Sequence, residues 1–140
     1  MLLMIVGLSL VLAVASNTSN ASIETSTPKV QLNEYEQGII DGTNATRARY
    51  GLPPLDVYPG LEDSARGHAA WMTNNRSMQH SGANCGENIA CGQHSVDEAM
   101  QTWVNSPGHL ANILGPYRWI GASAYTAPDG TVYWCEQFVQ

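Results

Sequence analysis

Residues 86–114 read GENIACGQHSVDEAMQTWVNSPGHLANIL. Gly86–Cys91 is a neutral stretch broken only by Glu87, and it reads as a strand or tight turn. Ser95 followed three residues later by Glu98 is the capping-box pattern, two side chains closing the free N–H groups of a helix start. The helix that follows has Ala99, Met100 and Trp103 for its buried face. Ser106 and Pro107 then restart the chain. Serine suits a cap, and proline suits the first helical position because its missing N–H would go unpaired there anyway. His109 thereby falls in the first turn of a second, short helix, where its side chain can point at whatever faces that end.

Downstream, WIGASAYT and TVYWCEQFV flank APDG, the pattern of a hairpin with Gly130 supplying the turn conformation. In the last strand Val132, Trp134, Glu136 and Phe138 alternate with Tyr133, Cys135, Gln137 and Val139. Upstream, residues 32–51 place Leu32, Tyr35, Ile39, Ile40, Ala45 and Ala48 at loosely helical spacing, with Gly51 as a stop. LPPLDVYPG reads as a rigid loop. LEDSARGHAAWMTNN is a further helix with Leu61, Ala65, Ala69 and Met72 near one face, ending around Asn74 and Asn75. Helices before and around strands predict an α+β fold, helices packed on a small antiparallel sheet.

The chain has 140 residues, enough for one domain. It opens on MLLMIVGLSLVLAVAS, an apolar run that reads as a secretory signal. The small-x-small pattern Ala13–Ala15 places the cut after Ala15, so that the mature chain begins at Ser16. An uncleaved membrane anchor is the rival reading, and the run is short for the ~20 residues of a bilayer span. Residues 16–30 form a Ser/Thr/Asn-rich leader with no apolar period, expected to be disordered, and residues 31–140 form the folded domain. Four sequons, at Asn17, Asn20, Asn44 and Asn75, fit a secreted glycoprotein. The net charge is −6 and no Lys/Arg run occurs, which argues against nucleic acid and anionic membrane surfaces as partners.

Of the four histidines, His68 lies within a helix near its apolar face and reads as a packed, hydrogen-bonded side chain, and His94 reads as exposed and without a role. His80 and His109 stand at element boundaries beside small residues, where a side chain reaches a cleft. Two His and Glu87 could ligate zinc with a position left for water. Their spacing is not that of a helical H-E-x-x-H pair, so spacing alone carries little. Ser81, adjacent to His80, does not make a Ser-His dyad by adjacency. Three cysteines in an oxidising compartment read as structural, allow three single pairings and leave one over.

NATRARYGLPPL, HSG, GENIACGQ, AMQTWVNSPGHLANIL and YWCEQFV occur in the order and spacing of the CAP superfamily. The chain resembles its SCP-like branch, the cysteine-rich secretory, antigen 5 and pathogenesis-related proteins, in the short form found in bacteria and some fungi and protists. The resemblance covers residues 32–139. It implies an α-β-α sandwich with a central cleft lined by two His and two acidic residues that can hold a divalent metal, often zinc. His80, Glu87 and His109 match three of the four. The fourth position, three residues after the Trp of the third helix, is Ser106 here, a departure that bears on metal affinity. The resemblance also implies a Cys85–Cys135 disulfide, with Cys85–Cys91 as the local alternative and Cys91 left over. It implies an extracellular, non-enzymatic protein that binds a small hydrophobic ligand, a sterol or fatty acid, or an extracellular protein partner in defence or host interaction. Two rival readings stand beside it. One is a zinc-dependent hydrolase using His80, Glu87 and His109, and the other treats the same three residues as a structural hydrogen-bond network.

Overall fold

The computed structural model describes residues 29–140. The expected signal and its cut, most of the leader, and the sequons at Asn17 and Asn20 lie outside the described residues. Four helices and four strands follow one another: α1 (Glu34–Arg49), β1 (Asp56–Val57), α2 (Pro59–Asn75), β2 (Gly86–Cys91), α3 (Val96–Val104), α4 (Pro107–Ile113), β3 (Trp119–Thr126) and β4 (Val132–Val139). The sheet order is β1-β3-β4-β2. β3–β4 and β4–β2 are antiparallel, while the two-residue β1, inside the stretch expected to be a loop, runs parallel to β3. The sheet is therefore mixed, not purely antiparallel.

Local chemistry accounts for the ends. Asn33 and Glu36 form a reciprocal capping box at α1, Glu36 N–H donating to Asn33 Oδ1 at 3.0 Å and Asn33 N–H to Glu36 Oε2 at 2.9 Å. At α3 only half of the expected box forms. Glu98 N–H donates to Ser95 Oγ at 3.2 Å, but the Glu98 carboxylate takes the N–H of His94 rather than that of Ser95. Ser106 occupies the cap position of α4 without a side-chain cap bond, and Pro107 begins the helix. The 127–130 turn closes on Gly130, at φ 87°, whose N–H donates to Ala127 O at 2.8 Å.

The alternation of β4 becomes two cores. Val132, Trp134 and Phe138 join Ile39, Ile40, Met100, Trp103, Ile113 and Ile120 on the side of α1, α3 and α4. Tyr133 and Cys135 join Ile89 and the small face of α2, Ala65, Ala69 and Met72. With both faces covered, every β4 residue but Val139 is buried. α2 lies close because β3 carries Gly121. A Cβ there would meet the Leu61 carbonyl at 2.3 Å, so any side chain would lift α2 off the sheet.

The register bears on the expected Cys85–Cys135 disulfide. Gly86 pairs with Phe138, three residues from Cys135 on β4 and so roughly 10 Å along the strand. Cys85 lies beyond Gly86, whereas a disulfide needs Cα atoms about 4.4–6.8 Å apart. Cys85 and Cys91 stand at opposite ends of β2, and all three cysteines are free thiols. Two arrangements, one buried and one partly buried, tie the helices down. Arg47, 2% exposed, donates to the carbonyls of Pro53, Ile113 and Gly115, latching the end of α4 to α1. Arg66 of α2 forks onto both oxygens of Glu36 at 2.8 and 2.7 Å.

Candidate functional site

Glu87 is the second residue of β2 and pairs across the sheet with Gln137. Strand alternation sends its side chain to the α2 side, into a position only 8% exposed. Each carboxylate oxygen is occupied. Oε1 accepts from His80 Nδ1–H at 2.8 Å and from the Ser81 N–H at 2.9 Å, and Oε2 accepts from Gln137 Nε2–H at 2.7 Å. Burial pushes the carboxyl up, but the hydrogen bonds from Ser81, Gln137 and His80 outweigh it and hold Glu87 below the ordinary carboxylate range.

His80 stands on the loop between α2 and β2 with its side chain 63% exposed. Because a carboxylate can only accept, Nδ1 carries a proton, and in the neutral tautomer Nε2 is the nitrogen with the lone pair. The loop is anchored from behind by His68, whose Nε2–H donates to Gln79 O at 2.8 Å while its ring stacks on Trp71. His68 is thus the hydrogen-bonded helix histidine expected of it. His94 is exposed.

His109 enters from α4. Its carbonyl accepts from Asn88 Nδ2–H at 3.0 Å, and its Nδ1 is buried without a protein partner. Burial, and then the charge of His80, lower its basicity, so the ring stays neutral below the usual histidine range. The two imidazoles are thus electrostatic neighbours. Ser81 Oγ bonds Ala83 N–H at 3.1 Å and Gln137 Nε2 at 3.5 Å, away from a dyad with His80.

Four further residues build this site: Gln137, Asn88, Asn112 and Glu136. Asn88 points to the opposite face of β2 from Glu87. Its Oδ1 accepts from Asn112 Nδ2–H at 2.9 Å, and its Nδ2–H also donates to Glu136 Oε1 at 2.8 Å. Asn112 in addition bonds the Glu87 carbonyl at 3.1 Å, and Trp103 Nε1–H bonds the Ile89 carbonyl at 3.1 Å, so two carbonyls of the β2 edge are capped by side chains. Glu136 is fully buried, and desolvation, only partly offset by Thr43 and Asn88, pushes its carboxyl up to about 7. The signal for three of them, Asn88, Glu136 and Gln137, was an Asn, a Glu and a Gln inside otherwise apolar strands, while Asn112 of α4 had no such signal. The structure joins His80 and Glu87 directly and ties His109 to the same strand through Asn88, while Ser106 supplies no carboxylate. Among the described residues no three His, Cys, Asp or Glu side chains are gathered to hold a metal ion.

The sequence profile of the cysteine-rich secretory protein family, CAP, matches residues 40–138. The uncharacterized protein YkwD of Bacillus subtilis is 30% identical over 89% of this chain, and the match spans 54% of YkwD. Secreted protein RBT4 of Candida albicans is 33% identical over 67% of this chain and 26% of its own length. The chain therefore spans about half of the first of these relatives and a quarter of the second. An extracellular protein containing an SCP domain from Bacillus anthracis superimposes with a TM-score of 0.65 at 26% identity, over 80% of this chain and 45% of that one.

Proposed function

The chain belongs to the cysteine-rich secretory protein family, CAP, and from that premise we propose that it is an exported binding domain for a small hydrophobic molecule, a sterol or fatty acid, and not an enzyme. The observation that carries this reading is a groove of about 670 Å³ between α1 and α3. That volume lies within the ~300–1,000 Å³ of small-molecule sites. Its apolar lining comes from Ala45, Val96, Met100 and Val104, with Arg49 and Asn105 among its polar groups. Gly42 lets α3 approach, since a Cβ there would meet Met100 Cγ at 2.9 Å. Relatives named as secreted or extracellular support export, and among the described residues no helix is long and apolar enough to cross a membrane. The test is titration with a fluorescent sterol and a fluorescent fatty acid. Ala45 is exposed on the groove, so Ala45→Trp should fill it, lower affinity at least tenfold and leave the unfolding transition unchanged. Equal binding by both proteins removes the groove from the reading.

A second reading rests on the imidazole pair. The carboxylate on His80 Nδ1 leaves Nε2 as a metal-ready lone pair, an arrangement common behind metal-bound histidines, and His109 keeps a neutral ring with an unpartnered buried nitrogen. His80 and His109 would hold a divalent cation such as zinc, with Glu87 orienting His80 instead of ligating, and water filling the remaining positions. A cation so held supplies Lewis acidity to a bound water or carbonyl. Calorimetry with zinc should show weak binding that is lost in His80→Ala and His109→Ala and tightened in Ser106→Glu. Unchanged heats in both histidine variants would reduce the site to a structural network.

A further inference from the structure

The loop that leaves α2 doubles back along the helix. Ser77 N–H donates to Met72 O at 3.1 Å, and farther on His68 Nε2–H donates to Gln79 O at 2.8 Å. Between helix and loop lies a cavity of about 230 Å³, lined by His68, Trp71, Gln79, His80 and Ser81. It is smaller than the ~300–1,000 Å³ of drug-sized sites and has room for one ring. Its helix side is aromatic. Trp71 is 40% exposed, and the His68 imidazole lies alongside it, with centroids 6.0 Å apart and planes 9° apart, an offset stack. His68 is in turn fixed by the Gln79 carbonyl, so the indole is held in place before any ligand arrives.

The loop side is polar, and none of the lining residues is Lys, Arg, Asp or Glu. Only the carbonyl of Gln79 is engaged among the described residues, so its exposed side-chain amide keeps both donors and its acceptor. His80 commits Nδ1–H to Glu87, and its neutral tautomer offers Nε2 as an acceptor. Glu87 itself is buried, with both oxygens taken by His80, Ser81 and Gln137, so it gives the cavity no free carboxylate. A metabolite anion would meet no Lys or Arg here, and an amine would meet no carboxylate. A purely apolar molecule would cover the indole but leave the amide and the imidazole without partners. The lining fits a neutral ligand with a flat apolar face and a hydroxylated edge.

We propose that this cavity is a binding subsite for a neutral pyranose sugar, which lays the C–H face of its ring on Trp71 and hydrogen-bonds its edge hydroxyls to the Gln79 amide and His80 Nε2. A pyranose combines the two surfaces the lining asks for: axial C–H groups make a rigid apolar face, and hydroxyls around the rim both donate and accept. The indole supplies contact area with little side-chain entropy to lose, and the polar loop rejects a ring of the same shape that has no hydroxyls. The site is separate from the α1–α3 groove and requires neither that groove nor a cation on His80 to be occupied.

The test uses the full protein with a metal chelator present, so that no cation competes for His80. Methyl β-glucoside is the probe. Sorbitol, which has hydroxyls but no ring, and cyclohexanol, which has a ring but a single hydroxyl, are the controls. Two-dimensional NMR follows the Trp71 indole N–H signal, assigned by Trp71→Phe, and the backbone amides of Gln79, His80 and Ser81. The glucoside should shift these signals in a saturable way and bind at least tenfold more tightly than either control. Trp71→Ala should lose at least tenfold, Trp71→Phe should retain most of the affinity, and Gln79→Ala should lose at least threefold. Trp71 and Gln79 are exposed, so the unfolding transition should not move. If Trp71→Ala does shift it, Gln79→Ala decides the matter. Ala45→Trp should leave glucoside binding intact, which separates failure of this site from failure of the groove. The proposal is overturned if the glucoside leaves the Trp71 signal in place, if sorbitol or cyclohexanol binds as tightly, or if Gln79→Ala binds like the parent.

Discussion

Glu87 and Glu136 sit on neighbouring strands, one residue out of register, and are shifted in opposite directions from the ordinary carboxylate value. Glu87 faces Gln137, Glu136 faces Asn88, and the two carboxyls project from opposite faces of the sheet. Glu87 is given three N–H donors, one of them from the backbone, and stays ionised. Glu136 is given one amide and one hydroxyl in a fully buried position and is held near neutrality, at about 7. As an acid it can donate to Thr43 Oγ, 2.6 Å away, and Thr43 in turn faces Met100 Sδ at 3.9 Å. Depth and donors both separate the two carboxyls: burial weighs more heavily on Glu136, and Glu87 has more N–H donors, each of which favours the charged form.

The largest test of the contrast is the pH dependence of stability. Glu62 and Glu136 are both raised to about 7 by burial. A raised folded-state value means that the stabilisation is complete below the ordinary value of 4.5 and is lost as pH rises through about 7. Each group contributes on the order of a few kcal/mol. Glu36 and Glu87 are lowered by their hydrogen bonds despite burial, so their contribution is present above 4.5 and lost as pH falls below it. Urea midpoints should therefore peak near pH 5 and fall by pH 8. A midpoint that keeps rising to pH 8 would sink the assignment of neutral Glu62 and Glu136.

Next in size is Glu87→Ala. It strands the His80, Ser81 and Gln137 donors, of which Gln137 is fully buried, and should cost about 2–3 kcal/mol at pH 7, since buried donors left without partners carry their full desolvation penalty. Urea unfolding measures it, and a loss below half a kcal/mol would mean that water replaces the carboxylate.

The smallest effect should come from Glu136→Gln. An amide reproduces the protonated acid, donating to Thr43 and accepting from Asn88. At pH 5.5 the change should therefore stay within about 1 kcal/mol, and it should flatten the decline between pH 5 and pH 8. If the variant retains the parent's full decline, Glu136 does not titrate in that range and Glu62 alone is responsible.

Helix positions were legible in the residues because caps and periodicity are local. Leu61, Ala65, Ala69 and Met72 mark the buried face of α2, and Ala99, Met100 and Trp103 that of α3. The half-formed box at Ser95 shows the limit of such patterns. Spacing brings Glu98 back to the helix start but does not choose between the N–H of Ser95 and that of His94. The sequon at Asn44 is a similar case. Its amide is consumed on both sides by Leu55, Nδ2–H donating to the carbonyl at 3.1 Å and Oδ1 accepting from the N–H at 2.8 Å, which no tripeptide pattern reveals. Asn75, at the exposed end of α2, is free of such a role apart from a bond to the Trp71 carbonyl.

By itself the sequence determined the family, the four helices and the closing hairpin, because caps, helical periodicity and a strand period of two rest on neighbours within a few residues. The tertiary structure alone decided the rest. It chose Gln137 as the partner of Glu87 across 50 residues and joined Thr43, Glu136 and Asn88 beneath the sheet. Each of these depends on strand register and helix docking, and a shift of one residue would exchange the faces of a strand and every partner with them.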